Sequence, residues 1–135
     1  GVLLSEVLYV KETAARDFLV LDAAMNDLIR PTLYEAYHGI ESVANRDAPP
    51  ATYDVVGPIC ETGDTFSKQR ALPTMSAGDL AVIKSAGAYG FCMASNYNTR
   101  PLPAEVLVDG DKFAVIKKRQ SVDEIIAQDI VPDWL

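Results

Sequence analysis

Short apolar runs, each stopped by glycine, proline or a polar turn, divide this sequence almost from end to end. No run is long enough for an extended amphipathic helix, so such a chain closes a core by pairing strands. The runs at 2–11 and 17–23 are read as strands joined by Glu12–Arg16, a connection short enough for a hairpin. Asn26 is placed as the cap of a helical turn ending before Pro31, with a second turn over Thr32–Ala36. Strands are expected at 38–43, 53–57 and 79–85, with a proline-containing loop over 44–52 and an irregular segment over 64–78. The stretch from Gly87 to Ser95 is rich in small residues and is read as one or two helical turns.

Asp109-Gly110-Asp111 is the strongest hairpin signal, because Asp-Gly supplies the positive φ angles of a tight turn. It joins strands over 105–108 and 112–118. Ser121 with Glu124 three residues on forms a capping-box pattern, opening a helix with Val122, Ile125 and Ile126 on one side. The fold class is therefore mostly β, a barrel-like or sandwich-like domain with short helical insertions.

With 135 residues, the chain is expected to form one domain with a single core. A net charge of −7 argues against a nucleic-acid partner, since phosphate binding needs a basic face. No apolar run reaches the roughly 18 residues that span a bilayer, and no export signal is visible, so no membrane role is expected. Two cysteines and one histidine support neither a disulfide framework nor a zinc site. Free thiols without an export signal point to the cytoplasm. Gly1 leads directly into a strand-like run, as if the chain were cut from a longer one.

The segment Pro58-Ile59-Cys60-Glu61-Thr62-Gly63-Asp64 places a thiol beside a carboxylate where a strand gives way to a loop. Such a pair on a rigid support can exchange protons and bind a cation. A buried core cysteine beside a solvated glutamate fits the same residues. Arg30 and Tyr34 are four apart, so one helical turn would bring guanidinium and phenol together. That pair can grip a carboxylate or can simply stack at the surface. Tyr89 lies among small residues that would let its ring approach a ligand, or it is a core tyrosine. Cys92, between Phe91 and Met93, is expected in the core.

Three segments together resemble the carboxy-terminal domain of diaminopimelate decarboxylases, pyridoxal-phosphate enzymes that share the alanine-racemase fold (fold type III). They are Leu28–His38, Gly57–Asp64, and Gly87-Ala88-Tyr89-Gly90 running through Met93–Asn98 to Arg100-Pro101; Val2–Lys11 and Ala104–Gly110 match as well. The resemblance spans residues 1–135 and implies a β-barrel-like carboxy-terminal domain. It also implies that the α/β barrel binding pyridoxal 5′-phosphate, with its Schiff-base lysine, is absent from this chain. This chain alone is then half an active site and should decarboxylate nothing.

What the resemblance implies for residues is specific. Cys60 would be the catalytic proton donor, and Glu61 would hold the substrate's distal ammonium. Arg30 and Tyr34 would bind substrate, and Tyr89 would contact both substrate and cofactor phosphate. Two subunits would pair head to tail with shared sites, and Phe91, Met93 and Tyr97 could form part of their contact. The expected reaction is conversion of meso-2,6-diaminopimelate to L-lysine and CO2 in lysine biosynthesis. Sister decarboxylases acting on ornithine, arginine or carboxynorspermidine, and a non-catalytic β domain for binding or assembly, are the alternatives.

Overall fold

The computed structural model describes residues 1–44 and 47–135. Asn45 and Arg46, within the loop expected over 44–52, lie outside the described residues. The chain divides into two compact units, Gly1–Ala94 and Ser95–Leu135.

The first unit is built on six strands: β1 (Val2–Lys11), β2 (Asp17–Leu21), β3 (Ile40–Ser42), β4 (Pro50–Val56), β5 (Thr65–Pro73) and β6 (Leu80–Lys84). They form one sheet in the order β3-β6-β1-β2-β4-β5. All neighbours are antiparallel except β2 and β4, which run parallel with Leu19 opposite Val55. The sheet curls into a nearly closed barrel. Across the seam, the Arg70 guanidinium on β5 donates to the Tyr37 hydroxyl at 2.7 Å and to the His38 carbonyl at 3.3 Å, just ahead of β3. His38 in turn meets the Lys84 carbonyl of β6 through Nδ1 at 2.8 Å.

Alternation along the strands fills the barrel. Val7, Leu19, Leu21, Val55, Ala81 and Ile83 are completely buried, with Tyr53, Phe66, Leu72 and Met75 packed around them. Each large aliphatic side chain so buried contributes about 1.5–3 kcal/mol. Most polar groups inside are paired, although His38 Nε2 and Ser67 Oγ are buried without a hydrogen-bond partner. Ser5 donates to Asp22 Oδ1 at 2.5 Å and accepts the Ala23 N–H at 3.0 Å. The buried Asp54 carboxylate receives the Arg16 guanidinium at 2.9 Å and the Gln69 N–H at 2.8 Å. The hairpin expected between the first two strands is present, and the Thr13 hydroxyl closes its loop by donating to the Arg16 carbonyl.

Two local expectations are overturned. Residues 64–78 are not irregular, because they contain the nine-residue β5. Only Phe66, Leu72 and Met75 of that stretch are buried hydrophobics, and Gln69 sits at φ 49°, which interrupts the alternation that marks a strand. A turn does precede Pro31, with the Ala24 carbonyl accepting the Asp27 and Leu28 N–H groups, but Asn26 lies within it rather than at its start. The turn expected over Thr32–Ala36 instead takes in Pro31: α1 runs Arg30–Tyr34, with the proline at its start, where a missing N–H costs nothing, and Ile29 at its cap position.

The second unit carries a 3-10 turn (Tyr97–Thr99), the hairpin of β7 (Glu105–Asp109) and β8 (Lys112–Lys117), and α2 (Val122–Ile126). Gly110 takes φ 60° at the hairpin tip. The Ser121 capping box is formed in both directions, with Oγ accepting the Glu124 N–H and the Glu124 carboxylate accepting the Ser121 N–H. Gln120 fastens the unit internally: its side-chain oxygen accepts from Asn96 at 2.6 Å and from the Leu102 N–H at 3.1 Å. The hairpin is apolar on both faces, and Val106, Leu107, Val108, Phe113, Val115 and Ile116 are all exposed. Among the described residues, no helix is long and apolar enough to cross a membrane.

Candidate active site

The segment leaving β2 is folded tightly by its own polar groups. The Ala24 carbonyl accepts the N–H groups of Asp27 at 2.9 Å and Leu28 at 3.2 Å, while Asp27 returns a carboxylate bond to the Ala24 N–H at 2.9 Å. Leu28, buried in the core, anchors the chain immediately before α1. The helix lasts one turn and stops at Glu35, which is left-handed at φ 53°. That single turn sets the Arg30 guanidinium over the Tyr34 ring, 5.7 Å from its centroid.

A second ring, that of Tyr89, lies at 5.7 Å from the same guanidinium. Tyr89 belongs to the turn that follows β6, and its backbone is left-handed at φ 59°, an uncommon state for a bulky residue. Its neighbour Gly90 makes the turn possible, since a Cβ there would sit 2.0 Å from the Ala86 carbonyl oxygen. The turn projects the Tyr89 ring outward, 61% exposed, and a short 3-10 turn (Phe91–Met93) follows. Cys92 on that turn is exposed rather than in the core as expected. The 3-10 turn buries none of its residues, so a position between Phe91 and Met93 does not confer burial.

Cys60 and Glu61 lie on the loop between β4 and β5. The loop is closed at its base by the Gly57 N–H donating to the Asp64 carbonyl at 3.0 Å. The Glu61 N–H bonds to the Ile59 carbonyl at 2.8 Å and the Asp64 N–H to the Glu61 carbonyl at 3.0 Å, so Cys60 sits at the outer edge of a compact turn. Its thiol is exposed, not buried. The Glu61 carboxylate is exposed and accepts the Gly63 N–H at 3.1 Å.

This loop is tied to the Arg30 segment at two points. The Asp64 carboxylate accepts the Met25 N–H at 2.7 Å, and the Thr32 hydroxyl of α1 donates to the Gly63 carbonyl. The fold thus gathers Arg30, Tyr34 and Tyr89 into one cluster and fastens the Cys60–Glu61 loop to the same helix. The surface stack considered for Arg30 and Tyr34 is present, yet it leaves the site's chemistry open. A ring face engages the flat face of a guanidinium, so the five N–H donors around its edge stay available. Among the described residues, no hydrogen bond or ion pair engages the Arg30 guanidinium, the Tyr34 and Tyr89 hydroxyls or the Cys60 thiol. Asp64 and Thr32 are the residues whose part in the site was not read from sequence. The available signal was a carboxylate placed after glycine, at the point where the loop rejoins a strand.

A cavity of about 600 Å³ opens between α1 and β5, lined among others by Thr32, Tyr37, Lys68 and Arg70. It contains none of Arg30, Tyr34, Cys60, Glu61 or Tyr89; Glu61 instead lines a second cavity of about 370 Å³ with Arg16, Asp54 and Lys68.

Residues 1–87 match the family described as "Pyridoxal-dependent decarboxylase, C-terminal sheet domain", and the chain belongs to it. Its relatives carry a more particular name. The diaminopimelate decarboxylase of Zymomonas mobilis is 53% identical over 135 residues, covering 100% of this chain and 32% of that protein. That of Pseudomonas aeruginosa is 55% identical over 127 residues, covering 94% of this chain and 30% of the relative. The crystal structure of diaminopimelate decarboxylase from M. jannaschii in co-complex with L-lysine superposes with a TM-score of 0.94 at 38% identity, over 99% of this chain and 31% of that one. The chain therefore spans about a third of the length of the curated relatives it matches.

Proposed function

We propose that this chain is the carboxy-terminal part, residues 1–135, of a diaminopimelate decarboxylase that converts meso-2,6-diaminopimelate to L-lysine and CO2. The observation that carries this reading is Arg30, approached by the Tyr34 and Tyr89 rings and with its donors unengaged among the described residues, on the helix tied to the loop of Glu61. The distal end of diaminopimelate bears both an ammonium and a carboxylate. Glu61 answers the first and Arg30 the second, with the Tyr34 hydroxyl as a further donor. Ornithine and the other sister substrates end in a cation alone and leave such an arginine without a role.

Pyridoxal 5′-phosphate, bound by the rest of the protein, supplies the electron sink for decarboxylation. The donor set here suits an edge of that cofactor: the exposed Tyr89 hydroxyl, beside a cation, can donate to a phosphate oxygen. Loss of CO2 leaves an electron pair on carbon. The Cys60 thiol gives its proton to that carbon and is reprotonated from solvent.

Tyr34 and Tyr89 are 58% and 61% exposed, which suits a site completed by another surface. That surface is the barrel domain of a second subunit, in a head-to-tail homodimer with two shared sites, in the cytoplasm. The test is to express the full-length protein and measure CO2 and lysine from meso-diaminopimelate beside ornithine, arginine and carboxynorspermidine. Release from diaminopimelate alone supports the reading. Preference for another substrate favours the sister enzymes. No turnover of any, or a gene without an upstream barrel, favours a non-catalytic β domain.

A further inference from the structure

We propose that Asp64, with Thr32, is a positioning latch that sets the Cys60 thiol relative to Arg30. The inference rests on the roles proposed above for those two residues. Asp64 is 3% exposed, and its two carboxylate oxygens serve two different segments. Oδ1 accepts the Met25 N–H at 2.7 Å, five residues before Arg30 in the folded segment that leads into α1. Oδ2 accepts the Ile59 N–H at 2.8 Å, on the residue that precedes Cys60.

The space for this carboxylate is made by Gly57, where a Cβ would lie 2.3 Å from Oδ2 and 2.5 Å from Oδ1. Its backbone is fixed as well, by the Gly57 N–H below and the Glu61 carbonyl above. Thr32 adds a second tie one residue away, from its hydroxyl to the Gly63 carbonyl. Gly63 is crowded too, for a Cβ there would meet the Thr32 methyl at 2.8 Å. Among the described residues the thiol makes no bond that would hold it, so its place is inherited from Ile59 and Glu61.

A carboxylate is the group that can accept from both backbone donors. Asparagine keeps the size but offers one oxygen and one NH2, so one N–H must face another donor. The latch then loosens on one side while the barrel keeps its core. Misplacing a reacting group by about 1 Å can cost as much as about 10²-fold in rate.

The decisive experiment is a double-mutant cycle in the full-length enzyme. Asp64→Asn should lower kcat by about tenfold or more with little change in KM, and should have almost no further effect in a Cys60→Ala background. A merely structural aspartate would lower kcat by the same factor in both backgrounds, and that additivity would overturn the latch. Should Asp64→Asn not fold, Thr32→Val replaces it, because it removes only the hydroxyl tie. The same non-additive pattern is expected from it, and unchanged kcat per folded site counts against the proposal. If the wild-type protein turns over no diaminopimelate, the functional reading fails separately. Peptide-mapped alkylation of Cys60 by iodoacetamide then decides the latch: a rate altered in Asp64→Asn supports it, and an identical rate rejects it.

Discussion

The Arg30 guanidinium lies 5.7 Å from the ring centroid of Tyr89, although the two residues belong to different segments, one opening α1 and the other following β6. The Tyr34 ring lies at the same distance. Both rings approach the guanidinium while no hydrogen bond among the described residues engages its donors, which leaves them for a bidentate carboxylate contact.

Arg30→Lys should therefore damage substrate use although the charge is kept. Lysine has neither the planar stack nor the two parallel donors. In the full-length enzyme we expect a clear fall in kcat/KM for diaminopimelate. Near wild-type kcat/KM in that variant would remove Arg30 from the site.

Cys60→Ala should lower turnover far more than affinity, by about 10²–10⁴-fold in kcat, the usual contribution of a general acid. Steady-state kinetics on the full-length enzyme measure this. Equal weakening of kcat and binding would count against proton donation by the thiol.

Asp54 should make part of the fold's stability sensitive to strong acid. Burial alone would raise its pKa above the ordinary 3.8, but the Gln69 N–H, the Arg16 guanidinium and the charge of Lys68 outweigh burial and hold the carboxyl below that value. A folded pKa below the unfolded one means stability that is complete above the ordinary value and lost as pH falls from there through the lowered folded value. Melting temperature against pH should drop more steeply below 3.8 for wild type than for Asp54→Asn, which cannot titrate. Parallel curves would show that Asp54 is not a source of acid sensitivity.

The proposed sharing of sites between subunits makes a prediction about mixtures. A full-length variant lacking the cofactor-bearing lysine and a Cys60→Ala variant are each expected to be inactive or nearly so. Mixed dimers hold one site with both residues intact, so activity should return on mixing and re-assembly. Verified mixed dimers without activity would place Cys60 within its own subunit's site or outside catalysis.

Much of the fold was legible because its signals are local. The Asp109-Gly110 turn, the Ser121 box and the strands at 2–11 and 80–84 each rest on residues adjacent in sequence. β5 was illegible because its middle, Ser67-Lys68-Gln69-Arg70, reads as a polar loop. In the barrel, Arg70 is spent on the seam and the Gln69 N–H on Asp54. The parallel pairing of β2 with β4 depends on strands far apart in sequence and left no local trace. The Arg30–Tyr34 contact followed from their spacing, whereas the approach of Tyr89 to the same guanidinium depends on the barrel's closure.

The left-handed backbone at Tyr89 bears on how this domain drifts over time. Glycine or asparagine would occupy φ 59° with less strain, so selection for folding alone gives no reason to keep a tyrosine there. Gly90 is different, because the Ala86 carbonyl excludes any side chain whether or not the chain has chemistry to perform. In a duplicated copy released from its reaction, position 89 should therefore be among the first to change and position 90 among the last. If Tyr89 has the proposed role, the pair of positions serves as a clock for lost use: a tyrosine followed by glycine marks a copy still at work, and a glycine or asparagine followed by glycine marks one that keeps only the scaffold.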